Sequence, residues 1–307
     1  MFDIVGKRYW FFLLSALIII PGIISLAVFG LKPSIDFKSG TSMTLHFSTS
    51  VNESQLRSTL ADIGYKEAIV QRTGEGDFIV RLSEISTEQN QQLLSGLNTT
   101  LDTTTEQKDL SVISPAVASQ TARNAVIAVF VAALGILAYI TFAFRKMPKP
   151  LRWGTCAVAA LVHDVLVVTG IFSILGWAAG IEIDAMFITG MLTVVGFSVH
   201  DTIVVFDRIR ENLSRGGRGN LENVVNSSIL QTVTRSLNTS LTVLFVLLAL
   251  FVLGGATIHN FTLVLIIGII TGTYSSIFSA SQLLIVWENR EWGRFVSWIP
   301  FLRKKKA

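Results

Sequence analysis

Several unbroken apolar runs of about twenty residues constrain this 307-residue chain more than any other feature. Coiled into a helix with a 1.5 Å rise per residue, such a run crosses ~30 Å of hydrocarbon. Six spans are predicted, at 10–31, 124–144, 153–177, 184–206, 236–254 and 261–287. Composition agrees, with 50% hydrophobic and only 15% charged residues. The reading is a polytopic α-helical membrane protein. Lys7 and Arg8 precede the first span, as they would a signal peptide. Its apolar run is too long for that, and Leu26-Ala-Val-Phe29 is a poor cleavage site, so it reads as an uncleaved helix.

The cations set the orientation. With a cytoplasmic N-terminus, 17 of the 25 Lys and Arg fall on the inner side: before the first span, between the second and third, across 207–235, and in the tail. The other eight all lie in 32–123, and the short turns 178–183 and 255–260 hold none. Both termini are therefore expected in the cytoplasm of a cell whose inner membrane the chain crosses, with 32–123 outside. The basic pI of about 9.3 is then an orientation signal and gives no reason to expect nucleic acid. The tail Arg303-Lys-Lys-Lys306 reads as an anchor of the same kind, with contact to ribosome or anionic lipid as the alternative. All six Trp fall at or just beyond predicted span ends, where the headgroup layer suits an indole.

Four segments follow: 1–31, N-terminus and first helix; 32–123, an extracytoplasmic domain; 124–287, five helices with a cytoplasmic loop at 207–235; and 288–307, a basic tail. Residues 32–123 alternate in strand fashion over Thr41–Phe47. Asn52 is placed to cap a helix to about Ile63, strands at Ala68–Gln71 and Phe78–Leu82 flank Gly74-Glu-Gly76, and a helix runs from Thr87 to about Leu101. Leu110–Ile113 closes the order β-α-β-β-α-β, the ferredoxin-like arrangement between helices one and two. No catalytic constellation appears there, and His46 reads as solvent-facing. The chain is not expected to be an enzyme. A single cysteine, Cys156, excludes an internal disulfide, and the scattered His46, His163, His200 and His259 offer no metal-ligand spacing, so no cofactor is expected.

A carboxylate deep in hydrocarbon costs several kcal/mol and needs a reason. Asp164, beside His163, falls near the middle of the third span, either as a hydrogen-bonding partner of a neighbouring helix or as a proton-binding site. Asp201 lies in the unusually polar stretch Gly196–Thr202 of the fourth span. Arg235, at similar depth, begins the antiparallel fifth span and is followed by Ser236, Asn238, Thr239, Ser240 and Thr242. An Asp201–Arg235 pair would be either a static salt bridge or a proton-coupled element, the Arg holding the carboxylate ionised until protonation releases it. His200 is placed to relay the proton or simply to hydrogen-bond. The small-residue stripe Gly268, Gly272, Ser276 and Ala280 implies a tight helix interface. Asp207–Leu213 extends the fourth span, Gly216, Gly217 and Gly219 break it, and a helix begins again near Leu221.

The string Val195-Gly-Phe-Ser-Val-His-Asp-Thr-Ile-Val-Val-Phe-Asp-Arg-Ile-Arg-Glu-Asn212 closely resembles the fourth-span signature of the SecF family, the smaller subunits of SecDF translocation complexes. Ala160–Val165 and Ile35–Thr41 resemble further motifs of that family, and the layout is the half-unit of resistance-nodulation-division transporters. The resemblance covers essentially the whole chain. It implies a SecD partner, a place beside the SecYEG channel, and proton flow that drives movement of the outer domains on an exported polypeptide. It also implies proton-pathway roles for Asp201 and Arg235, with a less settled one for the His163–Asp164 position. Ser34 and Ser39 stand where the family's motif has glycine, which puts the turn geometry of 34–40 in question. The alternatives are a half-transporter of the same superfamily for lipid or small molecules, and a translocon scaffold that moves no protons.

Overall fold

The structure, a computed structural model, describes residues 3–73, 76–215 and 220–292. The tip of the expected hairpin at Gly74 and Glu75, the glycine break at Gly216, Gly217 and Gly219, and the tail with Arg294, Trp298 and Arg303–Lys306 lie outside the described residues. Six helices are long and apolar enough to cross a membrane. They comprise α1 (Arg8–Val28), α5 (Pro115–Ala143), α6 (Pro150–Ala179), α7 (Ala185–Ser214), α8 (Leu221–Leu253) and α9 (Ala256–Ser275), the last continuing through a π-helical turn (Ser276–Ala280) into α10 (Ser281–Glu288). Between α1 and α5 lie α2 (Ile35–Lys38), β1 (Gly40–Phe47), α3 (Glu53–Asp62), β2 (Ile69–Arg72), β3 (Phe78–Leu82), α4 (Thr87–Leu101) and β4 (Thr105–Ile113).

These strands form one antiparallel sheet in the order β2-β3-β1-β4. Alternation puts Met43, Leu45, Phe47, Phe78 and Val80 on one face, buried against Leu56, Leu60, Leu93 and Leu97 of α3 and α4. A capping box, Ser86 with Gln89, starts α4, whereas Asn52 holds the N-cap position of α3 without a side-chain bond. His46 is not simply solvent-facing: its Nδ1 lies 2.5 Å from Asp77 Oδ1, and Lys108 Nζ lies 2.7 Å from Oδ2. Lys108, with His46 beside it, holds the Asp77 carboxyl below the usual carboxylate range against the opposing push of burial. One buried acid thus ties β1, β4 and the β2–β3 connection together. Strand β4 is longer than expected, nine residues, and lies at an open edge with Leu110 and Val112 44% and 48% exposed.

Helix α5 begins at Pro115, well before the predicted 124, because Pro fits the first turn of a helix and nothing after it breaks the pattern. Likewise α8 runs unbroken from Leu221, so Arg235 sits inside a 33-residue helix instead of at its start. The turn at 34–40 shows how serine replaces glycine. Ser34 Oγ caps α2 by accepting from Asp36 N. Ser39, however, adopts φ 69° and ψ 161°, a region essentially reserved for glycine. Ser39→Gly is therefore expected to stabilise the chain by ~1 kcal/mol or more, read as a raised unfolding midpoint in detergent; an unchanged or lowered midpoint would refute the strain.

Inside the bundle the small-residue stripe meets α7. A Cβ on Gly268 would overlap Val194, and one on Gly272 would come within 2.9 Å of Ser198 Cβ. Helix α1 lies as closely on α6, with Gly22 against Gly170 and Ser25 Oγ 2.8 Å from Ser173 Oγ. Trp153 departs from the expected interfacial role: it is 4% exposed, stacked on Phe144 and edge-on to Phe206, in the packed core. The sheet domain is tied to the bundle around Glu182: Ser34 N donates to Ile183 O, and Ile183 N to Lys32 O, each at 2.8 Å. Arg81 Nη1 lies 3.1 Å from Glu182 Oε2. At the opposite end Arg8, 5% exposed, bonds through Nη2 to both oxygens of Glu291 (2.9 and 2.8 Å) and to Glu222 Oε1 (2.9 Å). Asn226 Oδ1 accepts from Ile4 N and Val5 N. The N-terminal segment, the start of α8 and the residues after α10 are fastened at one point.

Candidate intramembrane carboxylate site

Asp201 lies in the middle of α7, which begins at Ala185 because Asp184 accepts from Phe187 N at 2.8 Å and caps it. Its side chain turns inward toward α8 and α9 and is 2% exposed. Hydroxyls of Ser236 on α8 and Thr273 on α9 face the carboxyl group. Thr273 Oγ1 is engaged with Ser240 Oγ at 2.6 Å. Asp201 Oδ2 and Ser236 Oγ, by contrast, are buried without a hydrogen-bond partner among the described residues. A carboxyl group this deep among apolar helices is costly to keep there and marks a candidate functional position.

The expected Asp201–Arg235 ion pair is not formed. Arg235 is exposed and makes no ion pair among the described residues. Successive helix residues are rotated by about 100°, so the turn that points Ser236 at Asp201 swings Arg235 onto the flank of α8. His200 is likewise exposed, on the face of α7 adjoining Asp201, and makes no hydrogen bond among the described residues. No hydrogen bond joins it to Asp201 among the described residues.

These two side chains belong to a pattern that single residues did not reveal. The exposed positions of α7 follow helical spacing through Thr189, Thr193, Gly196 and His200. Those of α8 between 231 and 242 include Gln231, Thr234, Arg235, Asn238 and Thr242. Leu237 and Leu241, 46% and 47% exposed, interrupt that stretch, and beyond Thr242 the exposed residues are apolar, with Phe245, Val246, Val252 and Leu253 all 67% exposed or more. Helices α1 and α5 are apolar along their exposed faces, for example Leu17, Val126 and Phe130, a surface suited to acyl chains. A polar and small stripe at the depth of Asp201 is a poor lipid surface and a good helix-packing surface.

Asp164 has the opposite environment. At 1% exposed, its Oδ2 accepts from Ser198 Oγ at 2.6 Å and Ser275 Oγ at 2.8 Å, and its Oδ1 lies 3.0 Å from His163 Nδ1. His163 Nε2 is 3.0 Å from Ser15 Oγ on α1. The sequence marked Asp164 and His163 but missed Ser15, Ser198, Ser275 and Tyr274. Serine in an apolar helix is common, and only contact identifies which ones matter.

With this geometry in hand, the relatives are informative. Residues 94–290 match the family described as protein export membrane protein SecD/SecF, C-terminal, and residues 24–51 match the SecD/SecF GG motif, which includes the Ser34–Thr41 turn. The protein translocase subunit SecF of Thermobaculum terrenum is 50% identical over 307 residues, 96% of each chain. The crystal structure of SecDF, a translocon-associated membrane protein from Thermus thermophilus, superposes with a TM-score of 0.83 at 35% identity, covering 94% of this chain and 39% of that one. SecDF in a super-membrane-facing form gives 0.66 at 34% identity, covering 96% and 40%. The chain thus spans about two fifths of the solved SecDF chains and nearly the full length of the SecF relative. Shared length, shared helix arrangement and both matched motifs make this chain a member of the SecF family of protein translocase subunits.

Proposed function

We propose that the chain is the smaller half of a proton-driven protein-export machine in the cytoplasmic membrane. In this reading SecD supplies the other half, and the assembly works beside the SecYEG channel on a translocating polypeptide. Both termini are cytoplasmic, and residues 40–113 form a ferredoxin-like domain on the far side. The order β2-β3-β1-β4 with both helices on one face supports the ferredoxin-like reading. The proton role rests on one observation: a carboxyl group, Asp201, 2% exposed within the bundle and faced by the hydroxyls of Ser236 and Thr273, flanked by a polar stripe that presents His200 and Arg235 outward. The unmade ion pair fits a half-site. Arg235 and His200 face where a second helix bundle packs, so the charged surroundings of Asp201 are completed between subunits.

The chain purified from native membranes is expected to bring a larger SecD-type subunit with it. Arg235→Ala should leave that association intact and remove the gradient-dependent stimulation of export. Recovery of the chain without such a subunit would overturn the assembly, and full stimulation with Arg235→Ala would overturn the charged half-site. Export of lipid or a small molecule in place of polypeptide would show as failure of the sheet domain to crosslink to a secreted precursor.

A further inference from the structure

We infer that Asp164 is a positioning residue that carries the state of α7 to the sheet domain, and that it does so without itself being the proton site. The inference rests on the reading of Asp201 as the proton-binding group. Two bodies meet at Asp164. One is α1 with α6 and the sheet domain. Along its length Gly22 lies against Gly170, Ser25 Oγ is 2.8 Å from Ser173 Oγ, and Ser173 Oγ donates to Gly30 O at 2.7 Å. It ends in the Lys32–Ile183 hydrogen bonds and in Arg81 beside Glu182, in the connection into α7, whose first residue Ala185 donates from N to Asp36 Oδ2 at 2.8 Å. The other body is α7 with α9, where Gly268 and Gly272 leave no room for a side chain. There Ser276 Oγ donates to Ser198 O at 2.9 Å and lies 2.8 Å from Thr202 Oγ1.

Asp164, on the first body, takes one hydroxyl from each helix of the second, Ser198 from α7 and Ser275 from α9. Ser198 is one helical turn before Asp201, so a rotation or shift of α7 that follows proton uptake moves Ser198 directly. On its other side, His163 bridges from Asp164 to Ser15 of α1, and Tyr274 OH reaches Phe11 O at 2.7 Å. Helix α1 leads straight into α2 and β1, so the displacement has a short covalent route to the sheet domain. A carboxyl group with two hydroxyl donors is well suited to this work: its bonds are directional, and the loss of either donor costs enough to bias how the two bodies sit. The π-helical turn at Ser276–Ala280, directly after Ser275, adds a place where α9 can alter its register.

The test uses the complex with the larger subunit in vesicles under an imposed proton gradient. Three quantities are read: proton uptake, export stimulation, and the distance between spin labels at exposed Glu84 on the sheet domain and Leu253 on α8. Asp164→Asn, and separately the double change Ser198→Ala with Ser275→Ala, are expected to keep uptake within about twofold of the unaltered complex. Both should reduce the gradient-driven distance change and the stimulation about tenfold, the size expected when hydrogen bonds to the carboxyl group are lost. The serine pair keeps the carboxyl and removes only two hydroxyls, so it reports even if Asp164→Asn inserts poorly. Uptake lost in Asp164→Asn as in Asp201→Asn would make Asp164 a proton site and overturn the inference. Distance change and stimulation retained in both variants would reduce it to packing and overturn the inference too. If Asp201→Asn itself keeps uptake and stimulation, the proton reading fails, a result separate from either of these.

Discussion

Asp201→Asn is expected to abolish the gradient-dependent part of export while the chain still inserts and still holds its partner. Asn has nearly the shape of Asp and can hydrogen-bond to Ser236, so the junction of α7, α8 and α9 should keep its packing. What it loses is the ability to take up and release a proton. A membrane potential supplies ~2.3 kcal/mol per charge per 100 mV, enough to shift a two-state equilibrium by a factor of roughly fifty. Without a titrating group at this depth that free energy has no entry point, and the residual activity should match the unaltered protein with the gradient collapsed. The measurement is precursor translocation into vesicles with and without an imposed gradient. A gradient response that survives in Asp201→Asn would remove Asp201 from the mechanism.

Arg8→Ala is the substitution expected to cost most stability, ~3 kcal/mol or more. The guanidinium is buried between Glu291 and Glu222, and its loss leaves two acids facing each other with no cation between them. Arg8→Lys should recover only part of the loss, because an ammonium cannot reproduce the fork that spans both Glu291 oxygens while also reaching Glu222. Thermal unfolding in detergent reads the effect. A change below ~1 kcal/mol for Arg8→Ala would show that water or other cations already serve the two acids.

Arg8 also marks the limit of the sequence reading. As a letter it is one of the cations that set orientation, and it serves there equally well if it is buried. Its partners, Glu222 and Glu291, lie more than two hundred residues away, and no local pattern announces such a meeting. The spans were legible because hydrocarbon imposes one length and one composition on them, and the sheet because alternation follows the pleat. Asp201 was legible because a charge in lipid needs a reason. Arg235 was expected beside Asp201 from a count of residues alone, whereas its facing comes from packing and turns it outward. Trp153 failed for the same cause: an indole near a span end reads as interfacial until Phe144 and Phe206 close over it. The network around Asp164 stayed hidden because serine carries little hydropathy signal.

Strand β4 has a consequence for how such a subunit is made. Alternate residues along its nine-residue length turn backbone donors and acceptors to the free side, and Leu110 and Val112 are exposed, a template for any extended segment that arrives first. A copy whose β4 edge nothing covers offers that template to other copies of itself. Covering that edge is then a condition for keeping this subunit from clumping, independent of whether any protein is being exported.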